Sequence, residues 1–127
     1  VLTLLSEAIV RNGNRVTQEA VDLLNQVRVK HGGLRAYKLS DFLSVEDFLD
    51  KLLEERGHEF YFEGVRRQDL IRHGKFIEKA LEKARFAGQP TGKIETMVDG
   101  KYKYEKFPLP THIITEGQGL IIQNPGY

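Results

Sequence analysis

The chain has no cysteine, no tryptophan and a single methionine among its 127 residues. Without thiols it can form neither disulfides nor thiolate metal sites, although that leaves the redox compartment open. It also lacks a dominant charge: 19 basic and 18 acidic side chains give a formal net charge of +1. Such a balance creates no field that would single out nucleic acid, an anionic membrane surface or an acidic substrate as a partner. No apolar run approaches the roughly 20 residues of a helical membrane span, and no charged segment leads into a signal-type apolar stretch. The length suits one domain with its own core, or a piece of one.

What the sequence does contain is helical periodicity. Val1, Leu4, Leu5, Ala8 and Ile9 recur at i, i+3, i+4, i+7 and i+8, which predicts an amphipathic helix ending near Asn12-Gly13-Asn14. This helix starts in register with neither an initiator Met nor an N-cap. The chain is therefore expected to be a piece of a longer protein whose targeting signals lie upstream. Thr17 is placed to cap a second helix, with Val16 and Val21 as a hydrophobic staple, Ala20, Leu23, Leu24 and Val27 inward, and His31-Gly32-Gly33 as the stop. The pair over residues 1–33 has the size of a tetratricopeptide unit, with no second copy at that period.

Ser44 and Asp47 have capping-box spacing, and Leu43 with Phe48 reads as another staple, so a third helix should begin near Val45. Its apolar stripe is Val45, Phe48, Leu49, Leu52, Leu53 and Phe60, and continuing that spacing carries Arg56 and Glu63 inward with Glu59 adjacent. Gly64 bends the path before a helix running from Asp69 to Ala84 and closed by Gly88 and Pro90; Gly74 within it implies a close crossing or a break. The one β signal is Asp99-Gly100, a type I′ dipeptide between runs 93–98 and 101–106, which predicts a hairpin with Met97 opposite Tyr102. Beyond Phe107-Pro108-Leu109-Pro110 the tail, 107–127, is expected to run as coil. The fold class is mainly α with one short hairpin and an irregular C-terminal tail.

The chemistry-bearing residues are concentrated between 53 and 74. Arg56 with Glu59, Glu63 with Arg66 or Arg67, and Asp69 with Arg66 or Arg72 are spaced as helical i, i+3 or i+4 partners. Charges on an apolar face are tolerated when paired and hydrogen-bonded, and arginine's planar fork suits that task. Arg56, Glu59, Glu63, Arg66, Asp69 and Arg72 are thus expected to form a structural ionic network within residues 44–88. A glycosidase reading would take Glu59 and Glu63 as acid and base across a cleft, but neighbouring arginines would lower a carboxyl pKa where an acid needs it raised. His58-Glu59 lacks the second histidine of a zinc helix, since position 62 is Phe62, and the four histidines show no ligand spacing. No metal site, cofactor or catalytic residue is expected.

The pattern Glu55-Arg56-x-x-Glu59-x-x-x-Glu63-Gly64-x-Arg66-x-x-Asp69-Leu70-x-Arg72-x-Gly74 resembles the C-terminal half of SusD/RagB proteins. So does the close, Phe107-Pro108-Leu109-Pro110 followed by Gln123-Asn124-Pro125-Gly126-Tyr127. The upstream pair, with Ser6-Glu7-Ala8, Gly13-Asn14, Glu19-Ala20 and Leu24-Asn25-x-Val27-Arg28, is similar to that family's last tetratricopeptide-like pair. Gly57, His58 and His73 depart from its usual residues.

The resemblance implies the C-terminal portion of a SusD-like helical fold, spanning 1–127. It also implies capture of glycans or related nutrients at the outer-membrane surface of Gram-negative cells, with delivery to a SusC-like TonB-dependent transporter and no chemistry on the ligand. Its membrane attachment would be a lipidated N-terminal cysteine outside this chain. In that family the ligand surface is built largely by earlier and inserted segments, so this stretch is expected to supply scaffold. Sugar sites stack rings on aromatic faces, and with no Trp the candidates are Tyr37, Tyr102 and Tyr104, each also readable as packing. The alternative, a tetratricopeptide-like adaptor that binds a peptide on a concave helical face, leaves the Gln-Asn-Pro-Gly-Tyr terminus unexplained.

Overall fold

A computed structural model describes all 127 residues and is mainly helical, with one two-stranded antiparallel sheet. The helices are α1 (Leu2–Gly13), α2 (Gln18–Lys30), α3 (Val45–Glu59), α4 (Arg66–Arg72), α5 (Phe76–Phe86) and α6 (Thr111–Glu116). The strands are β1 (Met97–Val98) and β2 (Lys101–Tyr102). No helix is long and apolar enough to cross a membrane. The chain divides into two compact units, Val1–Asp69 and Leu70–Tyr127.

In the first unit α1, α2 and α3 pack on one another around Val10, Ala20, Val21, Leu24, Phe48 and Leu52, all fully buried. Each large side chain among them contributes about 1.5–3 kcal/mol by leaving water. Local caps fix where two of these helices start. The Thr17 hydroxyl accepts from the Ala20 amide at 3.2 Å, and the Ser44 hydroxyl accepts from the Asp47 amide at 3.1 Å. The Asp47 carboxylate returns to accept from the Leu43 amide at 3.0 Å, so the shorter acid still closes the cap. Leu43 itself is 93% exposed and makes no staple with Phe48. Phe48 packs edge-on to Phe42 instead, at 4.9 Å between centroids.

The phase of α1 differs from its apolar pattern. Thr3, Ser6, Glu7 and Val10 face inward, while Leu4 and Leu5 are about half exposed and Val1 is almost wholly so. Polar partners decide this: Ser6 Oγ donates to the Ala20 carbonyl at 2.7 Å, a contact that only a small side chain permits between closely packed helices. Thr3 meets Arg56, described below.

In the second unit the predicted long helix is broken at Gly74. Its φ of 68° is the left-handed conformation that glycine adopts without strain. The Gly74 amide bonds Ile71 O at 3.0 Å and the Lys75 amide bonds Leu70 O at 2.8 Å, closing α4 before α5 begins. Asp99 and Gly100 take φ of 51° and 73°, as a type I′ turn requires, and Met97 pairs with Tyr102 and Val98 with Lys101. The ladder is shorter than the two sequence runs, because residues 103–105 turn into a 3-10 helix. The tail carries one helix that its prolines were expected to forbid. Pro110 stands at the N-cap of α6 with φ of −57°, where a missing N–H costs nothing.

Candidate functional site

The charged block on α3 builds two arginine–carboxylate contacts, one buried and one partly buried. Arg56 Nε donates to Asp69 Oδ2 at 2.8 Å and Nη2 donates to Oδ1 at 3.1 Å, a bidentate fork. Nη1 of the same guanidinium donates to Thr3 Oγ1 at 2.7 Å, and its plane lies 4.9 Å from the Phe60 ring. Both Arg56 and Asp69 side chains are only 7% exposed. One arginine on α3 therefore ties α1 and α4 to its own helix.

The second contact joins Arg28 of α2 to Glu55 of α3, whose side chain is 7% exposed. Arg28 Nε also donates to the Arg35 carbonyl at 2.7 Å, and its guanidinium lies 4.0 Å from the Tyr37 ring. Sequence reasoning missed this pair, because its members are 27 residues apart and only a three-dimensional docking of α2 on α3 joins them.

The expected network is thus partly redistributed. Arg56 and Asp69 are brought together. Glu59 meets His31 Nδ1 at 2.6 Å where Arg56 was the expected partner. Arg66 donates to the Leu53 carbonyl, and Glu63 and Arg72 are exposed. For Arg56 and Glu59 the helical spacing gave other partners, and α3 ends at Glu59, so residues 60–65 do not continue its ladder. No group of three His, Cys, Asp or Glu side chains is placed to hold a metal ion.

Of the aromatic candidates, Tyr37 is half-buried and already engaged. Phe42 tilts against it at 5.2 Å, Arg28 covers its ring, and Asn25 holds its backbone by two hydrogen bonds of 2.8 and 2.9 Å. Burial, and then the nearby Glu55 and Glu54 charges, push its hydroxyl pKa up, against the pull of Arg28 and Lys51. The ring is a wall of the core. Tyr102 and Tyr104 belong to the second unit; Tyr102 pairs across the hairpin, and Tyr104 is 39% exposed with Lys103 Nζ 5.6 Å from its ring.

Two aromatics that lie off the inward stripe of α3 stand in solvent. Tyr61 is 73% and Phe62 is 91% exposed, in the turn that follows α3. With Glu54, His58 and Arg66 they line an open hollow of about 760 Å³. The signal available in the sequence was Glu63-Gly64, which ends the apolar run just after these rings.

The terminal Gln123-Asn124-Pro125-Gly126-Tyr127 acts as a clasp on the segment before α6. The Gln123 amide accepts from Leu109 N at 2.7 Å and donates to Leu109 O at 2.9 Å. Asn124 Nδ2 donates to Phe107 O at 2.7 Å, and the Tyr127 hydroxyl donates to Lys106 O at 3.1 Å. Lys103 Nζ sits 4.3 Å from the Tyr127 ring. Gly126, at φ of 89°, admits close approach: a Cβ there would come 2.9 Å from Val98 Cγ2.

The chain matches the model of the SusD family over residues 1–127. It is also similar to the crystal structure of a SusD homolog from Bacteroides thetaiotaomicron, with a TM-score of 0.77 and 28% sequence identity. That match covers 99% of this chain and 25% of the homolog, so the chain spans about a quarter of the length of that protein. No curated protein matches.

Proposed function

We propose, from the premise that this chain belongs to the SusD family, that it forms part of a protein that captures nutrients at the outer-membrane surface. Its ligands on this reading are glycans or related nutrients, passed to a SusC-like TonB-dependent transporter without chemical change. Attachment to the membrane would be by a lipid anchor outside these residues. The observation that carries the proposal is the family match along the whole chain. The charged residues fit the same reading: Arg56 and Asp69, the charges that residues 53–74 bury together, form a bidentate pair, which suits scaffold more than catalysis. The six charged residues are proposed to act in that structural role.

The test is to purify the full protein from its membrane fraction, determine whether it is lipidated and co-purifies with a TonB-dependent transporter, and probe it on a glycan array. Lipidation, the transporter and saturable glycan binding are the expected results. A cytosolic, unlipidated product that binds peptides and no glycan would replace this reading with the tetratricopeptide-like adaptor.

A further inference from the structure

We draw no further inference here: the strongest candidate, the hollow at the C-terminal ends of α2 and α3 lined by His31, Glu55, His58 and Glu59, carries nothing, because no three of these side chains are placed to hold a metal ion and nothing in the structure shows what covers it.

Discussion

Arg56→Met should be the most damaging single charge removal in the first unit. Methionine keeps the unbranched stem but loses the two bonds to Asp69, the bond to Thr3 and the stacking over Phe60. The Asp69 carboxylate, 7% exposed, then stays buried without its guanidinium. Breaking a buried pair from one side costs about 3–5 kcal/mol, because the surviving buried charge has lost its bidentate partner. Against a total stability of about 5–15 kcal/mol, that is a large share. The double variant Arg56→Met/Asp69→Leu removes the buried carboxylate as well and should recover part of the loss. Urea denaturation at pH 7, followed by circular dichroism with unchanged m-values, measures all three proteins. If Arg56→Met loses less than about 1 kcal/mol, the pair is behaving as a solvated surface pair and the reasoning fails.

Three further outcomes follow from local geometry. The hydrogen bond from Lys51, then that from the Leu43 amide, hold the Asp47 carboxyl pKa below its ordinary value. Its folded pKa therefore lies under its unfolded one, so its stabilisation is present above the unfolded value and is lost as pH falls through the folded one. Asp47→Asn should flatten the acid limb of a Tm-against-pH curve below about pH 4, and an unchanged limb would exclude the linkage. Gly57→Ala should displace Arg66 from the Leu53 carbonyl and so forfeit most of the gain of about 0.5–1 kcal/mol usual for that change within a helix; a full gain in urea stability would show that Arg66 moves at no cost. Gln123→Ala deletes both bonds to Leu109, and amide hydrogen exchange at Leu109 should accelerate about tenfold or more, whereas an unaltered rate would mean that the clasp does not protect it.

Features decided within four residues were legible before the structure. The Thr17 and Ser44 caps, the start of α3 and the Asp99-Gly100 turn with its register all follow from side chains acting on their own neighbourhood. The buried face of α1 was not, since the carbonyl of Ala20 and the guanidinium of Arg56, both on other helices, draw Ser6 and Thr3 inward past more apolar neighbours. The ionic partners were half legible. The residue types and their inward direction could be read, but Arg56 reaches 13 residues ahead and Arg28 reaches 27, beyond any helical repeat. Tyr61 and Phe62 lie off the inward stripe, and periodicity could not reveal the turn after Glu59 that leaves both rings exposed. The short helix α6 was hidden by reading Pro110 as a barrier when it stands at a helix entrance.

Gln123 and Asn124 grip peptide groups and ignore side chains. Any amino acid at position 107 presents the same carbonyl, and any at 109 except proline presents the same carbonyl and amide. These hydrogen bonds therefore depend on the two amides and on the main chain they hold, not on the side chains at 107 and 109. Substitutions at 107 and 109 should alter what this surface offers to its surroundings without altering how the chain end is fastened. The clasp therefore fixes a path of main chain, and its strength is set by two side-chain amides.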